Sequence, residues 1–325
     1  MGSVKPTGRP GFSYLATSRR PGWSQLPVAV REAVGERLGG AVVTVRSVGG
    51  GFTPGFGAVV VGPGGRAFVK AAPLGGQVAR WYAREGEILA ALPAGVPAPK
   101  LLWSVRVHDH VVVGAQVIDG VMPAYPWTKQ DLEASLEAVA TTAEAFTSTN
   151  TQLRDALALP GWDSTGQNGW RQVAAGAVPM PPGPRWLTAR LPELVALETR
   201  LEGYGGEATT LSHNDLRLDN VVIDAHGAAW LTDWNHLRIG PPWFDTVSLL
   251  FSAFGQGHDL DRLFAQHPTA LGAPGDAVDA ALAGLGGYYS IAATRDPVES
   301  SPFLVAHWRY SAGLALGWLA ARQGW

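Results

Sequence analysis

The sequence predicts an α+β chain in two lobes, the first β-rich with one inserted helix and the second mostly helical. Three observations predict it. Short apolar, β-branched runs separated by Gly/Pro turns crowd into the first ~118 residues. After Asp119-Gly120 the apolar residues take helical spacing instead. The charge also changes sign, from +7 over residues 1–120 to −9 over residues 121–325. With 325 residues, of which 46% are hydrophobic, the chain is long enough for two separate cores.

In order along the chain, residues 1–24 are rich in Gly, Pro and Arg and read as a flexible tail. A helix from Leu26 to Leu38 stops at Gly39-Gly40. Strands follow at Val42–Val48, Ala58–Val61 and Arg66–Ala71, the first two joined by the glycine-rich Gly49–Gly57 and the last two by Pro63-Gly64-Gly65. Trp81, Ile88, Leu89 and Leu92 set a helix over Gln77–Leu92, and strands at Leu101–Val107 and Val111–Ile118 flank the His108-Asp109-His110 turn. The expected division is therefore 25–118 for the N-lobe, 119–121 for a hinge and 122–325 for the C-lobe. In the latter, Thr128-Lys129-Gln130-Asp131 resembles a capping box opening a helix to about Phe146. Leu159–Trp186, with three tryptophans among Pro and Gly, reads as a long loop or broken helices. Helices are expected at Leu187–Glu202, Trp243–Phe254, Asp276–Thr294 and Pro302–Arg322, with two short strands at Val221–Ile223 and Ala229–Leu231.

Composition excludes several classes. There is no cysteine, so disulfides, thiolate zinc sites and thiol catalysis are out, and a reducing cytoplasm is the expected home. The net charge of −2 speaks against a nucleic-acid binder, which carries a basic stripe. Met1–Trp23 lacks the apolar core of a secretory signal, and Ser311–Ala321 is too short to span a bilayer. No membrane partner is expected.

The chemistry concentrates in Leu211-Ser212-His213-Asn214-Asp215-Leu216-Arg217-Leu218-Asp219-Asn220, followed by the apolar pair of strands and Thr232-Asp233-Trp234. Phosphoryl transfer needs a carboxylate to accept the attacking hydroxyl's proton, and an Asn oxygen with a second carboxylate to hold the metal on the phosphates. A loop running into a hairpin brings its two ends together, so Asp215, Asn220 and Asp233 can converge. A carboxylate of ordinary pKa near ~4 suffices as base, because positioning and charge neutralisation do most of the work. A metal hydrolase using His213, Asp215, Asp233 and His236 is the rival reading. It leaves Asn220 and the upstream strands unexplained.

The segment is similar to the catalytic core of the aminoglycoside phosphotransferase and choline kinase group, the small-molecule kinases of the protein-kinase-like fold. The resemblance implies Asp215 as catalytic base, Asn220 and Asp233 as Mg²⁺ ligands, and His213 as a brace for the loop. Gly240-Pro241-Pro242-Trp243-Phe244-Asp245 resembles the group's later segment, with Asp245 tying down the catalytic-loop backbone; an ordinary first-turn helix carboxylate is the alternative. In the N-terminal half, Lys70 resembles the lysine that pairs with the nucleotide phosphates and Glu85 the glutamate that orients it. Glu87 is the competing partner. Gly50, Gly51, Phe52 and Thr53 would cover the phosphates, where missing side chains let backbone N–H groups approach oxygen. Gln116 and Ile118 would also contact the nucleotide. The implied cofactors are ATP, or GTP, with Mg²⁺. Neither a Walker A loop nor the Rossmann fingerprint is present.

The resemblance spans residues 25–325, with specific motifs at 49–57, 69–85, 97–101 and 211–245. Asn214 departs from it, standing where a glycine is common. Arg217, where protein kinases carry a lysine, either touches the transferred phosphate or is an exposed turn residue. Nothing in the acceptor region, Met122–Trp186 and the C-terminal helices, matches a known substrate site. The implied partner is a small hydroxylated acceptor such as an antibiotic, sugar, amino alcohol or nucleoside; the C-lobe charge would suit a cationic one, the alternative being that acids such as Glu133, Glu137 and Glu144 sit on solvated helix faces. A catalytically idle kinase-like binding module is the other class to be distinguished.

Overall fold

The computed structural model describes residues 10–162 and 166–325. Its N-terminal sheet is antiparallel and five-stranded, in the order β1-β2-β3-β5-β4, with β1 at Thr44–Ser47, β2 at Phe56–Gly62, β3 at Gly65–Pro73, β4 at Leu101–Val107 and β5 at His110–Ala115. The β2–β3 turn pairs Gly62 with Gly65, and Gly65 has φ +143°, a conformation open to glycine alone at little cost. Both faces of the sheet are covered. Helix α1 (Val28–Arg37) lays Val30 and Val34 on Phe56, Val60 and Val69, while α2 (Gln77–Ala91) packs Ala79 and Tyr82 on the opposite face with Val111 and Val113. A sheet buried on both sides reads as near-continuous apolar strands, which is how β2 and β5 read.

The second half is helical around one large core: α3 (Lys129–Leu157), α4 (Gly169–Ala174), α5 (Trp186–Ala189), α6 (Leu191–Gly206), α7 (Pro242–Leu250), α8 (Leu260–Gln266), α9 (Ala277–Ala292) and α10 (Leu304–Gln323). Thr128 Oγ1 accepts the Asp131 N–H at 3.0 Å and starts α3. This helix runs eleven residues beyond the expected Phe146, through a Thr/Ser-rich turn of low propensity. Thr147 and Thr149 return their hydroxyls to the carbonyls four residues back, at 3.0 and 2.9 Å, and so do not compete for the helix backbone. Within the expected long loop, Trp162 and Trp170 are core residues, and the N–H groups of Trp170 and Arg171 donate to the buried Glu198 at 3.1 and 2.9 Å.

Three short strands connect the halves: β6 (Gly120–Val121) pairs with β8 (Val221–Asp224), which pairs with β9 (Ala229–Leu231). The expected hinge thus joins the catalytic hairpin as a strand. A further pair, β7 (Leu211–Ser212) with β10 (Arg238–Ile239), closes the base of the catalytic loop. One expectation needs correcting. Residues 1–9 of the expected flexible tail lie outside the described residues, but residues 10–24 are packed, with Thr17 fully buried and Phe12 stacked on Phe303. Aromatic side chains and hydroxyls in that stretch have partners in both halves, which Gly/Pro-rich composition does not reveal.

Candidate active site

Lys70 sits in the middle of β3, between Gly57 of β2 and Val113 of β5. Its Nζ donates to Glu85 Oε2 at 2.6 Å and to Asp233 Oδ1 at 2.7 Å, and lies 5.5 Å from the centre of the Tyr82 ring. Glu85, not Glu87, is the partner: Glu87 faces outward and pairs with Arg84 at 3.1 Å. Burial works against the ammonium, but the Asp233 and Glu85 carboxylates outweigh it and push its pKa up, so Lys70 is protonated. Burial also disfavours a charged Asp233, yet Lys70 beside it holds that carboxyl well below the usual range. For Glu85 burial prevails over Lys70, and its pKa is raised.

The catalytic loop hangs between β7 and β8. Asn214 has φ +63°, the left-handed region where a glycine would be unstrained; its backbone is held there because Asp245 accepts the His213 and Asn214 N–H groups, at 2.6 and 2.9 Å. Asp245 lies in the first turn of α7 and is only 6% exposed. Burial raises its pKa to about 6 against the two N–H donors. His213 Nε2 lies 3.0 Å from the Thr232 carbonyl, and its Nδ1 accepts the Asp215 N–H at 3.3 Å. These contacts fix the Nε2–H tautomer. Burial depresses the His213 pKa to about 4, so the ring is neutral.

Asp215 is therefore aimed by its neighbours. Asn220 Nδ2 donates to its backbone carbonyl at 2.7 Å and to Oδ2 at 3.0 Å, and Arg217 pairs with Oδ1. The expectation of an ordinary carboxylate is corrected: burial raises the Asp215 pKa despite Arg217, making it a better proton acceptor. Arg217 is no exposed turn residue either. Its side chain is 15% exposed and also binds Asp219 at 2.8 Å.

A cavity of about 480 Å³ opens between the sheet and the hairpin, reached by Lys70, Glu85, Asn220 and Asp233. Gly50, Gly51 and Thr53 form its roof; Gln116 and Ile118 lie along its side. Phe52 does not line it. Its ring lies 4.5 Å from that of His307 and faces an aromatic cluster with Phe12 and Tyr14, so only its backbone remains available to a nucleotide. Asn220 spends its amide nitrogen on Asp215, and Asp233 spends one oxygen on Lys70, which leaves one oxygen of each for a hard cation. Among the described residues no group of three or more His, Asp or Glu is placed to hold a metal, and both His213 nitrogens are committed. The hydrolase ligand set does not assemble. Sequence reasoning missed Tyr82 beneath Lys70 and Trp234, fully buried with its ring 4.5 Å from that of His213.

The sequence model of the phosphotransferase enzyme family (APH) matches residues 44–285. The chain belongs to that family. The expected enzyme, a phosphotransferase acting on a hydroxyl group, is thereby borne out. No curated protein matches this phosphotransferase in sequence. Solved structures share its protein-kinase-like fold. A thermostable mutant of aminoglycoside phosphotransferase APH(4)-Ia, in ternary complex with ADP and hygromycin B, is 15% identical with a TM-score of 0.58, over 90% of this chain and 97% of that one. The GDP and kanamycin complex of APH(2")-IIia is 14% identical with a TM-score of 0.61, over 87% of this chain and 94% of that one. Among the described residues no helix is long and apolar enough to cross a membrane.

Proposed function

We infer that this phosphotransferase moves the γ-phosphoryl group of Mg–ATP, or Mg–GTP, to a hydroxyl of a small molecule. One observation carries the reading: Lys70 is held by Glu85 on one side and Asp233 on the other, in the wall of a cavity that also contains Asn220. In this reading the roof of residues 50–53 covers the phosphates, Gln116 and Ile118 border the base, and Lys70 neutralises phosphate charge. Asn220 and Asp233 would hold Mg²⁺, which supplies charge neutralisation on the phosphates. Asp215, aimed by Asn220 and Arg217, accepts the hydroxyl proton as the acceptor attacks in line. Arg217 beside that carboxylate offsets part of the effect of its burial and stands ready to meet the transferred group. The lack of cysteine suits a cytoplasmic enzyme.

A cationic acceptor is the finer reading. Residues 121–325 carry −9, and the two structural relatives hold hygromycin B and kanamycin. Several of those acids are held in ion pairs with arginines already counted in that net charge: Asp261 and Asp279 with Arg322, Glu202 with Arg171, Asp276 with Arg200. The test is turnover with Mg²⁺ and ATP or GTP over a panel of aminoglycosides, other antibiotics, sugars, amino alcohols and nucleosides. A mass gain of one phosphate on an acceptor, matched by ADP or GDP, is expected. Nucleotide binding without turnover of any acceptor would favour the idle module. A cationic acceptor should lose kcat/KM steeply as salt rises to physiological strength, where screening cuts the reach of charge to ~8 Å; a well-used neutral acceptor insensitive to salt would end that reading.

A further inference from the structure

The chain segment just before the first helix is built into the nucleotide cavity. Thr17 N–H donates to the Gly49 carbonyl at 2.9 Å. Arg20 Nη2 donates to the Gly50 carbonyl at 2.7 Å, and Nη1 to that of Gly55 at 3.0 Å. The hydroxyls of Thr17 and Ser18 both donate to the Gly51 carbonyl, at 2.6 and 2.7 Å, and Ser301 Oγ donates to that of Phe52 at 2.6 Å. Four successive carbonyls, from Gly49 to Phe52, are thus each held by a donor from outside the loop. Because a trans peptide is planar, a held carbonyl fixes the next N–H on the opposite side. The N–H groups of Gly50, Gly51, Phe52 and Thr53 make no hydrogen bond to any described residue. A run of free amide donors is a receptor for anionic oxygen.

The glycines of the roof answer to the same segment. A Cβ on Gly49 would lie 2.7 Å from the Leu15 carbonyl oxygen, and one on Gly50 3.0 Å from that of Tyr14. The glycines are therefore needed where the chain crosses them, as much as where phosphate would approach. Tyr14, Leu15 and Arg20 themselves border the cavity, and Arg20 Nε is shielded from solvent without a protein acceptor.

We propose that Arg20, with Thr17 and Ser18, is a positioning residue for phosphate recognition: it holds the carbonyl side of the roof so that consecutive N–H groups face the nucleotide's phosphates. The proposal rests on the phosphoryl-transfer reading and goes beyond it, since it assigns the segment before the N-lobe to the active site. Arg20 acts through the loop backbone, so its removal should cost phosphate binding and spare the base and ribose.

The test compares calorimetric affinities for Mg–ATP or Mg–GTP, whichever the wild type binds, with those for the matching nucleoside. Arg20→Ala should weaken triphosphate binding about tenfold or more, equivalent to at least ~1.4 kcal/mol, and leave the nucleoside within about twofold. Arg20→Lys, able to serve one carbonyl at a time, should recover part of the loss. Unchanged triphosphate affinity in folded Arg20→Ala overturns the proposal. An equal loss for triphosphate and nucleoside also overturns it, because a merely structural defect would reach both. Should Arg20→Ala not fold, the same comparison on Arg20→Lys and Thr17→Val decides. A wild-type protein that binds neither nucleotide overturns the functional reading itself, a result distinct from a failure at Arg20.

Discussion

Removing the Asp245 carboxylate tests how the catalytic loop is held. Asp245→Ala leaves the His213 and Asn214 N–H groups, donors at 2.6 and 2.9 Å, without their acceptor. Each buried donor left unsatisfied costs ~1–3 kcal/mol, so a loss of about 4 kcal/mol is expected in urea unfolding at pH 8. The left-handed backbone at Asn214 is then free to relax, moving the Asp215 carboxylate, and a shift of ~1 Å at a reacting group is enough for about a 10²-fold fall in kcat. The deficit should also depend on pH. With a pKa near 6 in the folded chain and 3.8 unfolded, Asp245 keeps a proton on folding between those values. Its stabilising contribution is therefore full below 3.8 and is lost as pH rises through 6. Alanine abolishes that contribution, so the variant's deficit should be larger at pH 5 than at pH 8 by about 1.4 kcal/mol. His213 runs the other way: its neutral folded form, with a pKa of about 4 against 6.5 unfolded, adds stability as pH rises between them. With Asp245 gone, that slope stands uncovered. A loss under about 1 kcal/mol together with unchanged kcat would refute the bracing role.

Asp215→Asn preserves shape and removes the proton acceptor, so turnover should fall ~10²–10⁴-fold while Mg–nucleotide affinity, measured by calorimetry, stays within a factor of about two; retained turnover would reassign the base. Asp233→Ala removes one proposed metal oxygen and one partner of Lys70. Activity should collapse and recover in part at raised Mg²⁺ or with Mn²⁺, and normal turnover at ordinary Mg²⁺ would exclude Asp233 as a ligand.

The sheet and the start of α3 were legible because their signals are local: alternating or continuous apolar runs, a Gly-Gly turn and a capping Thr each declare themselves within a few residues. The convergence of Asp215, Asn220 and Asp233 was legible because a short hairpin leaves few other geometries. What stayed hidden depends on distant partners. Glu198 captures two N–H groups about 28 residues away and helps turn part of a Pro/Gly-rich stretch into a helix with Trp170 buried. Asn214 looked like a departure from the glycine pattern, yet Asp245, some 30 residues on, holds it in a glycine's conformation. Phe52 was assigned to the nucleotide by its place in the loop, whereas its ring follows the aromatic residues of α10 and of the segment before α1. Arg217 could be read either as a phosphate contact or as a turn residue, because its two carboxylate partners show only when the loop is folded.

The roof of the cavity joins segments far apart in the sequence. The Arg19 N–H donates to the Ser300 carbonyl at 2.8 Å, and Ser301 reaches back 249 positions to Phe52. A ribosome delivers residues in order, so the five-stranded sheet can be complete while the residues that finish the roof are still unsynthesised. The carbonyl of Phe52 therefore gains its donor only once residue 301 has been made, whereas those of Gly49 to Gly51 are served by residues made before them. Contacts of such long sequence separation are also the slowest to form.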